Sequence, residues 1–582
     1  MKVRTITLLI LLILCWLPKT QATDSTLAVI TSEDILKSNQ WQGLVAMQSF
    51  KLPANAKSLS PISSSTQINL KLIANSDYFQ TIKDSYQIAT NPIFKAKQLP
   101  DIHFAFVQQG IHLIPLDSSV QRANHPQWEW QVSPGYQWQE KKTGYSVMVF
   151  PFSLQERNAN CTHNGMIKIV LDQKNKKQRG FFQIASETCA YFQLNWVGSL
   201  KVSLKILPPS NQATNKISSL VKRFEQQQTS QIETLDAKAL LKTYPKLELK
   251  KLMPKDLSAS TLSGVVIKGV DYRLNCGTRA GDYPFCDALA LPSFSTAKSL
   301  FAGLILMRMQ ALVAGIDKLL VTKFIPECKR DKWHNVTLAD LLNMRTGIYR
   351  AKDPHADESS KEMLAFFLQP TAQQKLQLAC GLFTRKSQPG KRFHYHTSDT
   401  YLAGVMLNRI FTEVSDQTDV YESIFKGEMI PTLGLSPLLD QTKRTYDLQQ
   451  QAFTGWGMTY YASDFFKLVD FLWQQDQLAK SKQHKPILDS QLLTQVMHPG
   501  VAAAAREAGN PSMRYNHGFW ALEVSQSLGC KQPRWLPFMS GFGGISVVMI
   551  APDLLYYNFS DNYRFEWLKA VKAINRVVDL CH

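Results

Sequence analysis

Ser295 and Lys298 stand three residues apart at the mouth of the apolar run "PSFSTAKSLFAGLILMRMQAL", which begins at Pro292. A serine hydroxyl is a poor nucleophile until a neighbour accepts its proton. A lysine can accept it if burial disfavours the ammonium and lowers its pKa. Residues three apart on a helix share one face, so Lys298 is expected to point back to Ser295. The Pro-Ser-Phe turn before Ser295 predicts a helix start, where the dipole also favours a developing oxyanion. The spacing alone is weak evidence, because Ser219-Leu220-Val221-Lys222 repeats it in a polar segment. Taken alone, the tetrad reads first as an N-cap serine with a snorkelling lysine.

The elements that follow give the tetrad its context. "WHNVTLADLLNMRTGIY" (333–349), "FHYHTSDTYLAGVMLNRI" (393–410), "TGWGMTYYASDFFKLVDFL" (454–472), "YNHGFW" (515–520) and "SGFGGISVVMIAP" (540–552) come in order. Together they resemble the β-lactamase-related serine hydrolases, a family that includes class C β-lactamases, D-alanyl-D-alanine peptidases and esterases. The most specific segment is "VTLADLLNMRTG", and the resemblance runs from about Ser258 to His582. It implies an α/β fold, with an antiparallel sheet flanked by helices and a helical subdomain. It also implies an acylated nucleophile at Ser295, its proton partner at Lys298 and the motif tyrosine at Tyr395.

Two departures from the family pattern bear on substrate. Thr397 stands where the Y-x-N element usually has Asn or Ser, and it can still offer a hydroxyl. The third motif, K-T-G or H-x-G in relatives, is read here as Ser540, Gly541, Phe542, Gly543, Gly544 and Ile545, with no basic residue. The lost cation argues against efficient processing of β-lactams or D-Ala-D-Ala. Gly541, Gly543, Gly544 and Ile545 are still expected to bring backbone N–H groups toward a substrate oxyanion. The competing reading of the same stretch is a Gly-rich turn between strands. His394 and His396 flank Tyr395, and nothing in the sequence fixes Asp399 or another carboxylate behind either ring to make a Ser-His-Asp set, so surface or satisfied histidines are the expectation. Asp399 and Asp464 match acidic positions that look structural in relatives. No G-x-S-x-G elbow, H-E-x-x-H pair or phosphate loop is present.

The whole chain has 582 residues, 45% hydrophobic and 19% charged, which suits two or three globular domains. Lys2 and Arg4, the apolar stretch 6–17 and Thr20-Gln21-Ala22 read as a signal peptide (1–22) cleaved after Ala22. Residues 23–208 carry short alternating runs bounded by Gly, Pro and Asn, which predict a β-rich, sandwich-like accessory domain. A linker with helices (209–257) leads to the hydrolase domain, 258–582. The formal charge of +19 falls to +16 without Lys2, Arg4 and Lys19, and such a charge favours anionic lipid or wall surfaces outside the cytoplasm. No compact basic tract interleaved with aromatics is present, which argues against nucleic acid.

Nine cysteines become eight without Cys15, an even count that fits disulfides in an exported chain. Cys161 and Cys189 are the natural pair in the first third. A second pair is open to Cys276 and Cys286, while Cys328, Cys380, Cys530 and Cys581 have no pairing that sequence fixes. No metal-ligand spacing and no organic cofactor are implied. The expectation is an exported serine hydrolase, periplasmic or extracellular, that cleaves ester or amide bonds of a small-molecule or cell-wall-derived substrate. Its rivals are an inactive surface-binding protein on the same fold and an active β-lactamase or D-Ala peptidase.

Overall fold

Alternating runs in the first third build nine strands: β1 (Thr66–Asp84), β2 (Ile102–Gln109), β3 (His112–Pro115), β4 (Trp128–Val132), β5 (Gly135–Gln139), β6 (Ser146–Glu156), β7 (Thr162–Asp172), β8 (Lys177–Thr188) and β9 (Phe192–Leu207). The computed structural model describes residues 27–581 except 55, 57–65, 208–210, 329–330, 482–484 and 501–506. The signal-peptide expectation at 1–22 lies outside the described residues.

Instead of splitting into two packed sheets, the strands form a ring. β1 pairs with both β2 and β9, the order continues through β3 and β5 to β6, and β6 also pairs with β7. β4 and β5 share the other edge of β6. The long β1 and β9 carry register shifts at Ser76/Tyr78 and Thr81/Lys83, the bulges that let long strands coil. The result is a closed antiparallel barrel rather than a sandwich, which removes free edges. Phe150, Phe152 and Leu154 of β6 are buried in alternation with Ser153 and Gln155. Both faces are covered, because the polar set meets the rest of the chain: Gln155 accepts from Thr459 Oγ1 at 3.0 Å, and Gln131 beside it reaches the Tyr461 hydroxyl.

The segment expected as a helical linker holds helix α1 (Asn211–Thr229), and it also gives a strand, β10 (Glu233–Asp236). That four-residue strand pairs in parallel with β12 (Val270–Asn275) at the edge of the second sheet. The others are β11 (Ser260–Ile267), β13 (Met513–Asn516), β14 (Phe519–Glu523), β15 (Trp535–Gly541), β16 (Ile545–Ala551) and β17 (Leu554–Ser560). Their order is β10-β12-β11-β17-β16-β15-β14-β13, antiparallel from β12 onward. One face packs the closing helix, Trp567–Ile574, through Trp567, Val571 and Ile574. The other packs the helical part, which includes α2 (Leu304–Leu312), α3 (Thr397–Val414) and α4 (Ala462–Ser481).

Four cysteine pairs stand at disulfide distance: Cys161–Cys189, Cys276–Cys286, Cys328–Cys380 and Cys530–Cys581. The first ties the β6–β7 turn to the end of β8, on the end of the barrel that meets Ser293. Among the described residues no helix is long and apolar enough to cross a membrane.

Candidate active site

The turn that carries Ser295 is tighter than a simple helix start. Phe294–Thr296 form a 3-10 turn, Lys298–Gly303 follow as a π-helical turn, and only then does α2 begin. Ser295 lies in the 3-10 turn and Lys298 opens the π-helical turn, and this junction brings Nζ to 3.0 Å from Ser295 Oγ. π turns inside helices recur at functional sites. This one lets the helix sit close to the β13–β14 turn: a Cβ on Gly518 would lie 2.1 Å from the Lys298 carbonyl.

Lys298 Nζ donates to three oxygens: Ser295 Oγ at 3.0 Å, Thr397 Oγ1 at 2.8 Å and the Gly455 carbonyl at 3.0 Å. Ser295 is partly exposed while Lys298 is buried, so the serine faces solvent and the lysine does not. Burial holds Lys298 below its ordinary 10.5, at about 8, with the Glu358 carboxylate pulling the other way. A lysine at about 8 is free base in roughly a tenth of molecules at neutral pH.

Tyr395 enters from the loop before α3. Its N–H donates to the Pro354 carbonyl at 2.8 Å, and its ring stacks on Trp520 at 5.8 Å. Lys298 Nζ lies 5.0 Å from the ring centroid. Burial, and after it the Glu358 charge, push the phenol well above its ordinary value, with the Ser295 hydroxyl acting the other way. The phenol is therefore protonated at neutral pH and can donate.

Thr397 is buried, and its hydroxyl is committed to Lys298 and Glu358. Of the glycines expected at the oxyanion, Gly541 is the one against the nucleophile turn, since a Cβ there would meet the Ser293 carbonyl at 3.1 Å. Gly543 and Gly544 have φ of 89° and 114° and make the turn between β15 and β16. Gly543 closes on Ala190 of the barrel and on Ser560, and Gly544 on Ser560 and Arg564. Ile545 is a core residue paired with Gly541 across the hairpin.

The histidines serve other ends. His394 stacks on Tyr349 at 3.6 Å, and burial lowers it to about 4. His396 Nε2 faces Asp357 at 3.3 Å and Nδ1 faces Asp399 at 3.6 Å. Burial works to lower His396, and the two carboxylates overcome it and lift it to about 9. Asp464 accepts from the Ser436 N–H, the Ser436 hydroxyl and the Tyr461 N–H, which anchors the start of α4.

Three participants have no signature in the sequence. Glu358 accepts from Thr397 N–H at 2.8 Å and from its hydroxyl. Gly455 contributes only a carbonyl. Asn160, at the barrel's β6–β7 turn, accepts through Oδ1 from Phe294 N–H at 2.6 Å and from Ser293 Oγ at 3.2 Å. Phe294 has a φ of 40°, a left-handed conformation costly for an aromatic residue. A barrel side chain thus holds the strained residue immediately before Ser295. "RNANC" offers no chemical pattern, and only the adjacent cysteine marked it as a fixed turn.

Residues 290–553 match the family model described as Beta-lactamase. No curated protein matches the chain. Among solved structures it is similar to a beta-lactamase/D-alanine carboxypeptidase from Pseudomonas syringae (14% identity, 58% of this chain and 98% of that one, TM-score 0.40). It is also similar to a D-stereospecific amidohydrolase from Streptomyces sp. (16% identity, 56% and 96%, TM-score 0.39). A third is EstCE1, a hydrolase with promiscuous acyltransferase activity (16% identity, 54% and 93%, TM-score 0.40). The stretch that matches the Beta-lactamase family model holds Ser295, Lys298 and Tyr395, and the same chain carries a closed β-barrel before it.

Proposed function

We propose that this protein is an exported serine hydrolase that cleaves ester or amide bonds of a small-molecule or cell-wall-derived substrate through an acyl-enzyme on Ser295. The observation that carries the reading is the buried Lys298 ammonium, held at 3.0 Å from the partly exposed Ser295 hydroxyl. As free base, Lys298 takes the proton of Ser295 while Oγ forms a bond to the substrate carbonyl carbon. The N–H groups of Ser295 and of the backbone near Gly541 are the candidate donors to the oxyanion. As the tetrahedral intermediate collapses, the bond to the leaving group breaks. Tyr395 gives that group its phenolic proton and is reprotonated from Lys298. Water then attacks the ester carbon and passes a proton back through the same pair, the acid departs, and Ser295 recovers its hydrogen.

The segment 540–545 contains no lysine, arginine or histidine, so a substrate carboxylate finds no cation there. This favours neutral esters and amides over β-lactams and D-Ala-D-Ala peptides. Four disulfide pairs fit folding in an oxidising compartment, which supports export.

The test is intact-mass analysis of the mature protein after fluorophosphonate treatment, beside Ser295→Ala. One adduct that is lost in the variant is the expected result. A folded wild-type chain that takes no adduct would overturn the assignment.

A further inference from the structure

Lys298 uses three N–H bonds on three acceptors, the full donor complement of an ammonium. A buried ammonium needs a countercharge, because isolated charges are costly away from water. No carboxylate touches Nζ directly. The carboxylate that acts on it is Glu358, one hydroxyl away. Thr397 has a single hydroxyl proton. It gives that proton to Glu358 Oε1 and keeps its lone pair for Lys298. Its backbone N–H holds the other carboxylate oxygen at 2.8 Å, so both Glu358 oxygens are fixed against one residue.

We propose that Glu358 is a positioning residue of this site: through the Thr397 hydroxyl it aims Lys298, and its charge sets the pH at which the lysine is free to take the Ser295 proton. The inference rests on the reading of Ser295 and Lys298 given above and adds the residue that controls them. Several groups face Glu358. They are Lys298 from the nucleophile turn, Tyr395 and His396 from the loop before α3, and Tyr515 from β13. Asp357, its neighbour, is taken up by His396 and by Arg350 at 3.8 Å. His396 keeps its proton to about 9, so it stays charged while Lys298 titrates at about 8. Burial raises the Glu358 carboxyl and Lys298 opposes that rise, as expected of a coupled pair.

The sign follows from charge. Glu358 stabilises the ammonium, so its removal lets Lys298 lose its proton at lower pH. The experiment measures the rate of fluorophosphonate labelling of the mature full-length protein from pH 5.5 to 8.5. It compares wild type, Glu358→Gln and Glu358→Asp, with folding checked by near-UV circular dichroism. In wild type the rate climbs with pH as Lys298 deprotonates. In Glu358→Gln the rising limb moves to lower pH by about one unit or more. Glu358→Asp keeps a charge and stays nearer the wild-type limb. Should Glu358→Gln not fold, Glu358→Ala carries the same charge loss and the same expected shift. A limb that stays in place or moves to higher pH, in a folded variant that still labels, overturns this inference and leaves the Ser295 assignment standing. No labelling of wild type at any pH overturns both.

Discussion

The barrel and the hydrolase domain both bury many polar side chains, and near Ser295 they contribute different kinds. Toward the nucleophile turn the barrel presents neutral groups: Asn160, Gln155, Asn164 and Gln131, each bonded to a backbone group or hydroxyl of the other domain. Its charged contacts, Glu129 with Lys443 and Glu187 with Arg279, are paired. The hydrolase domain instead gathers Lys298, Glu358, His396, Asp357 and Asp399 around one partly exposed serine. Neutral amides satisfy backbone at modest cost and fix shape. A charged cluster costs more and moves protons. Near Ser295 the barrel thus contributes neutral contacts, and the charged cluster that suits proton transfer lies in the other domain.

The largest break in this contrast is Lys298→Met. It removes the proton acceptor and keeps side-chain volume, so fluorophosphonate labelling should fall by about a thousandfold. It also leaves the Glu358 carboxylate without its cation and the Gly455 carbonyl without its donor, so melting is expected to fall. A variant that labels at the wild-type rate would move the base elsewhere.

Asn160→Ala tests the support. It leaves the Phe294 N–H buried without its acceptor, a loss of about 1–3 kcal/mol, and releases a residue whose φ of 40° must be held. Labelling should drop by roughly tenfold, far less than in Lys298→Met, and melting should fall with it. Asn160→Asp, which keeps an acceptor, should recover part of the rate. If labelling is unchanged, the barrel is a bystander to the nucleophile turn.

What was legible in the sequence follows the same division. That Ser295, Lys298 and Tyr395 come together was readable because motifs in chain order marked them, and the alternating runs gave the strands. Closure of the barrel was not, since period-2 alternation says which face is buried and nothing about which strand meets which. The Cys161–Cys189 pairing was readable from isolation in the chain. The pairing of the last four cysteines depends on separations of 52 and 51 residues that no local pattern encodes. Glu358 and Asn160 were invisible for a related reason. Each acts through one hydrogen-bonded neighbour that folding brings from far away, 39 residues for Glu358 and 134 for Asn160.

The smallest expected effect sharpens what makes the tetrad chemical. Ser219 and Lys222 have the same spacing on α1, where both are exposed and Ser219 Oγ donates to the Lys216 carbonyl at 2.9 Å. The lysine there is exposed rather than desolvated, and the pair lies on a regular helix where Ser295 and Lys298 span the junction of a 3-10 and a π-helical turn. Ser219→Ala should leave the labelling rate and the single-adduct mass unchanged. A second adduct in wild type that survives Ser295→Ala and vanishes in Ser219→Ala would mean that spacing alone activates a serine. Burial, the Thr397–Glu358 link and the barrel's hold on Phe294 would then lose their standing as the difference between the two tetrads.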